Sequence, residues 1–208
     1  EIIKEVEGIC SADPNLIQGT KCYGQVSHDA LLDMCFWGAK VLHYRSVELA
    51  RNLDVSLSIR FSEDHQRGTQ VRHEVNMFEQ QQVLAVNSHK EVHHLEVPEV
   101  PTMAEGWKRF GALLDQHQLA WPQILAATHE GTSLRVMYTS DSEHLVSLSR
   151  AIADSKATRA LREPMSSLSL TCHGSVATDL GEKVVSTLAG AGILVAKILQ
   201  SPLSLTIV

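Results

Sequence analysis

The sequence predicts a mixed α/β chain in three parts: the edge of a layered α/β domain, then two smaller modules of strands and helices, the second incomplete. Three observations carry this. Residues 1–71 alternate strand and helix signals, residues 72–156 end a run of strands on strand, helix, strand, strand, helix, and residues 157–208 begin that order again and stop short. The chain has 208 residues, 44% of them hydrophobic and 20% charged, the composition and length of a polypeptide that buries a core.

In order, Ile2-Ile3-Lys4-Glu5-Val6 is a short strand running into Gly8, and Ser11-Ala-Asp13-Pro14-Asn15 has loop chemistry. Ser27 is placed to cap a helix with Asp29 in its first turn. After the break at Gly38, Val47 to Asn52 is a second helix. Residues 54–60 alternate at period two as a strand, and a polar loop leads to Gly68-Thr69. Strand candidates follow at residues 80–87 and 93–97, then a loop from Pro98 to Thr102. Trp107, Phe110, Leu113 and Leu114 share one helical face, residues 121–127 and 133–138 are strands, and Leu145, Leu148 and Ile152 stripe another helix. Strand-helix-strand-strand-helix is the order of a ferredoxin-like unit. A strand at 167–172, a helix from Asp179 to Leu188 closed by Ala189-Gly190, and strands at 193–199 and 203–208 restart it without a second helix or last strand.

Lys and Arg number 18 against 24 Asp and Glu, a net charge of −6 with no basic run, which argues against a nucleic-acid partner. No apolar run reaches the roughly 20 residues of a membrane span; the longest candidate, 184–199, is broken by Ser, Thr, Gly and Lys. Cys10, Cys22, Cys35 and Cys172 form no C-x-x-C pair and read as reduced, buried thiols of a cytoplasmic protein. His89, His93 and His94 do not converge, since neighbours on a strand point to opposite faces, so no metal site is expected. Glu99 and Glu105 flank a helix start that reads as an ordinary capped surface helix. Lys40, in the apolar stretch from Cys35 to Leu42, either snorkels to the surface or offers its charge to a phosphate. Both Glu1 and Val208 fall mid-pattern, as in a piece of something longer.

The segment Gly38-Ala-Lys-Val-Leu-His-Tyr-Arg-Ser-Val-Glu-Leu-Ala-Arg-Asn52 closely resembles the aspartate kinases. So does Glu5-Val-Glu-Gly-Ile-Cys-Ser-Ala-Asp-Pro14, and Gly68-Thr69 is similar to the family's exit from its kinase domain. Residues 1–71 therefore resemble the end of an amino-acid-kinase domain. Residues 72–156 and 157–208 resemble, more loosely, the paired ACT modules that bind amino-acid effectors, with Ala191-Gly192-Ile193 similar to the turn after the first helix of the second module.

The resemblance implies transfer of the ATP γ-phosphoryl to the side-chain carboxylate of aspartate, on the way to lysine, threonine and methionine, with ATP and Mg as cofactors of the complete enzyme. The ATP-contacting positions fall on Lys4, Glu5, Cys10, Asn15, Lys40 and Val41. Several depart from the family: Lys4-Glu5 replace Thr-Asp, Cys10 replaces Tyr, Asn15 replaces Arg, and Tyr44 follows His43 in place of Pro. Losing an aromatic face and a guanidinium removes stacking and a charge-assisted phosphate contact. The lysine-bearing amino-terminal region of the family lies outside the chain, which alone is expected to be inactive and to hold no cofactor. An effector site, for lysine or threonine, is expected at Pro98, Glu99, Thr102, Ala104, Gly106, Gln123, Thr128, Thr178 and Asp179, where Pro101-Thr-Met and Ala177-Thr-Asp stand in place of Pro-Gly. A homodimer through paired ACT sheets is the expected assembly. The competing reading is a non-catalytic or degenerate homologue that binds an amino acid or only dimerises.

Overall fold

A computed structural model of the chain describes residues 1–73, 83–155, 158–160, 164–173 and 175–208. They form two compact units, Glu1–His89 with Ser167–Val208, and Lys90–Ser166. These units are defined by compactness, whereas the division expected from the sequence follows element order.

The first unit opens with β1 (Ile2–Lys4), the short pair β2 (Ile9–Cys10) and β3 (Cys22–Tyr23), and β4 (Gln25–Ser27). Ser27 caps α1 (His28–Phe36) by accepting from the Ala30 amide, with Asp29 in the first turn, as its sequence dictates. Next come α2 (Tyr44–Asn52), β5 (Leu57–Phe61) and β6 (Gly68–Arg72). The strand order is β1-β5-β6-β4, with β5 and β6 antiparallel and both outer strands parallel to their neighbours. Ile9, Val26, Leu31, Met34, Val47 and Ile59 are fully buried between sheet and helices, each worth about 1.5–3 kcal/mol. The Gly68-Thr69 pair has a physical reason. Gly68 has φ +151° and a Cβ there would lie 2.0 Å from the Ile59 carbonyl oxygen. Thr69 then accepts from the Ile9 amide at 2.9 Å and donates to the Tyr23 carbonyl at 2.5 Å, stitching β6 to the β2–β3 pair.

β7 (Val83–Val97) is one strand of 15 residues where the sequence reading placed two; residues 80–82 lie outside the described set. The polar stretch Ser88-His-Lys-Glu91 looks like a break but keeps extended backbone. Residues 84, 86 and 88 explain part of this, because one edge of the strand is pinned at each. Tyr23 donates to the Leu84 carbonyl, the Val86 amide donates to Ser11 O, and Gly38 packs on the Ser88 carbonyl.

The rest of the first unit is β11 (Met165–Cys172), which the unit takes from Ser167, α5 (Leu180–Gly190), β12 (Ile198–Gln200) and β13 (Ser204–Ile207). That is the strand, helix, strand, strand order expected. β12-β13-β11 form an antiparallel run. Residues 193–197 are not strand: Gly192 takes φ +75° and the Ile193 amide bonds back to Leu188, wrapping the chain around the end of α5. The two faces of β11 differ. Leu170 and Cys172 pack with Leu180 of α5, while Ser167, Ser169 and Thr171 line the opposite face, all buried, with Ser169 hydrogen bonded to Thr206.

The second unit contains the later part of β7, α3 (Met103–Gln116), β8 (Gln123–Glu130), β9 (Ser133–Thr139), α4 (Ser142–Asp154) and β10 (Arg159–Ala160). Its strands lie in the order β10-β7-β9-β8, all antiparallel. This is the βαββαβ ferredoxin-like arrangement, with β10 supplying a closing strand of 2 residues, too short to carry an alternation signal. Phe110, Leu114 and Leu148 pack against Leu95, Leu134 and Val136 of the sheet. Gly106 is where α3 meets the sheet, since a Cβ would lie 2.6 Å from Leu134.

Candidate functional site

On the nucleotide side, the segments that carry Cys10 and Lys40, two of the six expected positions, are brought to one strand. Ser11, next to Cys10, meets β7 at Val86, and Gly38, two residues before Lys40, meets it at Ser88. Positions two apart on one strand edge lie about 7 Å from each other. Gly38 has φ +106°, and a Cβ there would sit 2.3 Å from the Ser88 carbonyl oxygen, so only glycine allows this approach. The turn is also held from below: the Ala39 amide bonds to the Met34 carbonyl at 2.9 Å, and His89 Nε2 lies 3.0 Å from the Phe36 carbonyl. Burial pushes the His89 pKa down, opposed by that carbonyl. Lys40 projects from this turn, exposed and without an ion pair among the described residues, while Val41 is half-buried against the core. Both sequence readings of Lys40 need its charge at the surface, where it lies.

Lys4 ends β1, half-buried, and Glu5 beside it is exposed. Asn15 is exposed, but its amide and side-chain nitrogen both bond Asp13 Oδ1, at 2.9 and 3.1 Å, which closes a local turn. His43 caps α2 by accepting from Arg45 N, and Tyr44 takes the first helical position. There its ring meets Phe36 edge-on, so the position proline favours is filled without distorting the helix.

Cys10 corrects the expectation of four reduced thiols: it is disulfide-bonded to Cys22. The two residues sit directly opposite each other on β2 and β3, a proximity that spacing alone does not reveal. Cys35 and Cys172 are free and buried as expected, and burial pushes the Cys35 thiol up to about 11.

Sequence reasoning missed Asp33. Its carboxylate accepts from Thr171 Oγ1 at 2.7 Å and Ser204 Oγ at 2.8 Å, with a further side-chain hydrogen bond from Trp37. Thr171 and Ser204 are partners across β11 and β13. Burial nevertheless holds the Asp33 pKa above its ordinary value, because every donor is neutral. The available signal was the alternation Ser167, Ser169, Thr171, which marks a hydroxyl-lined sheet face.

On the effector side, the second unit gathers the loop 98–102 and one end of β8. The Val100 amide bonds Thr132 O and the Val100 carbonyl lies 3.0 Å from His129 Nε2, next to Thr128. Glu99 takes φ +56°. Thr102 caps α3 through the Glu105 amide, and Arg109 spans Glu105 and the Pro98 carbonyl. Ala104 is exposed in the first turn, and Gly106 is committed to helix–sheet packing. Gln123 pairs with Thr139 at the far end of β8 from Thr128, about 17 Å along the strand. Thr178 and Asp179 belong to the first unit at the start of α5, where Asp179 pairs with Lys183. Elsewhere in the second unit, Glu96 is 3% exposed between Arg135 and Arg159. Burial pushes its carboxyl up, but hydrogen bonds from Arg159, Ser133 and Arg135, with the Arg159 charge, hold it below its ordinary value. Among the described residues no three His, Cys, Asp or Glu side chains converge on a metal position, and no helix is long and apolar enough to cross a membrane.

No family model matches the chain. Among curated proteins it is similar to the aspartokinase of Geobacillus stearothermophilus, 38% identical over 77 residues, which cover 37% of this chain and 19% of that one. It is also similar to the aspartokinase of Thermus thermophilus, 26% identical over 218 aligned residues covering all of this chain and 53% of that one. The chain thus spans about half, or less, of the length of the relatives it matches. Among solved structures, the fold is similar to E. coli aspartokinase III in complex with aspartate and ADP, with TM-score 0.72 and 18% identity, over 98% of this chain and 46% of that one. The same enzyme with lysine and aspartate gives 0.68 at 19% identity over the same shares.

Proposed function

We propose, from a chain that is a homologue of the aspartokinases, that it serves as the nucleotide-side end of a kinase domain joined to effector-binding regulatory modules. The observation that carries this is one chain holding both a Gly38–Val41 turn with an exposed lysine and a complete βαββαβ unit. The complete protein would transfer the ATP γ-phosphoryl to the aspartate side-chain carboxylate. Lys40 would offset triphosphate charge, which is how such sites lower the barrier, and Val41 would flank the nucleotide. Lys4, Glu5, Cys10 and Asn15 would lie along the same site. Mg, when bound with ATP, would neutralise phosphate charge; none of this chain's residues is assigned to it.

The regulatory unit would bind an amino acid, lysine or threonine, at the loop 98–102 with Thr128; Thr178 and Asp179 are the corresponding helix start of the second module. That E. coli aspartokinase III has been solved with lysine supports this class of ligand. A cytoplasmic homodimer joined through its ACT modules, without nucleic-acid or membrane partners, completes the reading. A second reading, a homologue without phosphoryl chemistry, is favoured by Cys10 being tied to Cys22 and Asn15 to Asp13. Calorimetric titration with lysine, threonine and methionine at about millimolar ligand tests the effector half: saturable heat from one is expected, and none from any contradicts it. Titration of the complete protein with ATP and Mg separates the two readings, because only the first expects binding there, weakened by Lys40→Ala.

A further inference from the structure

We propose that Asp33 is a positioning residue that ties the Gly38–Val41 turn to the sheet formed by β11 and β13, so that a shift of that sheet is felt at the turn. This rests on the nucleotide-side reading of the turn and adds a route by which the site is regulated.

The tie has three links. Both carboxylate oxygens are engaged, Oδ2 by Thr171 and Oδ1 by Ser204, and those residues are direct cross-strand partners. The carboxylate therefore reads the two strands together. Trp37 is bound twice, its side chain to the Asp33 carboxylate and its backbone amide to the Asp33 carbonyl at 3.0 Å. Trp37 is buried and directly precedes Gly38. Gly38 cannot yield toward β7, because the Ser88 carbonyl already fills the space of a side chain. A displacement of the Thr171–Ser204 pair is thus passed through Asp33 and Trp37 to the turn that carries Lys40. A carboxylate held only by neutral donors is a costly way to join a helix to a sheet. Its two acceptors and rigid fork give directionality that an apolar contact lacks.

The test is hydrogen exchange of the full chain, followed by mass spectrometry, in wild type, Thr171→Val/Ser204→Ala and Thr171→Ser. The double variant is expected to speed exchange of amides 36–42 about 10-fold, as for loss of about 1.4 kcal/mol of local protection. Thr171→Ser keeps the hydroxyl and should exchange like wild type. Should the double variant fold poorly, Thr171→Val alone is expected to move the same amides in the same direction. Wild-type exchange at 36–42 in a folded double variant overturns the proposal, as does equal acceleration in α3, which would mark global loosening. In the complete protein, affinity for ATP should fall with the exchange protection. A complete wild-type protein that binds no ATP sinks the nucleotide reading, while the exchange result still decides the tie.

Discussion

Asp33 and Glu96 are both carboxylates withdrawn from solvent, one in each compact unit, and their surroundings push them in opposite directions. Glu96 has two guanidinium partners, Arg135 and Arg159, and stays below its ordinary pKa despite burial. Asp33 has hydroxyl and indole donors only and stays above its ordinary value. Withdrawal from water is thus outweighed where guanidinium groups face the acid and prevails where only neutral donors do. Net charge at a site, more than depth, decides whether a buried acid stabilises its fold. The same contrast runs through the packing: Glu96 sits behind an apolar core of Leu95, Phe110 and Leu148, whereas Asp33 meets a sheet face of serine and threonine hydroxyls.

The largest expected effect removes the partners of Glu96. Arg135→Ala with Arg159→Ala leaves a carboxylate 3% exposed without a cation, and urea unfolding should show about 3 kcal/mol lost. Removing the partners of Asp33 should cost less. Thr171→Val with Ser204→Ala takes two neutral donors from an acid that is already disfavoured, for about 1–2 kcal/mol by the same measurement.

The pH dependence sharpens the contrast through its sign. Glu96 titrates below its unfolded value, so its contribution is fully present above about 4.5, the ordinary carboxyl value, and is lost as pH falls through the folded pKa. Asp33 titrates above its unfolded value, so its contribution is present below about 3.8 and is lost as pH rises through the folded pKa. Melting temperature followed from pH 3 to pH 7 should therefore lose part of its rise in Glu96→Gln and part of its fall in Asp33→Asn. Identical profiles for both variants would erase the distinction. The smallest effect is expected at the exposed Asp179–Lys183 pair, where Lys183→Ala should leave the melting temperature unchanged within error.

Much of this fold is legible in the sequence because local chemistry sets it. Ser27 and Asp29 announce α1, and the Trp107 to Leu114 face announces α3. The Gly38 to Asn52 and Gly68-Thr69 segments carry the family likeness, and the structure gives their reasons in close backbone approaches at Gly38 and Gly68. What escaped has long-range causes. β7 runs into its polar stretch with its edge pinned as far as Ser88 by the distant residues Ser11, Tyr23 and Gly38. Cys10 meets Cys22 because a two-strand pairing opposes them. Asp33 has no partner signalled in the sequence around it, and residues 171 and 204, far along the chain, supply its hydroxyl donors.

The most direct measurement is the affinity of the complete protein for ATP with Mg, titrated with and without a saturating amino acid drawn from lysine, threonine and methionine. A nucleotide-side turn joined to an effector module predicts that one of these changes ATP affinity at least about 5-fold, with ATP shifting the amino acid's affinity by the same factor. ATP binding that is identical in the presence of all three, or absent altogether from the folded complete protein, would contradict the joined reading.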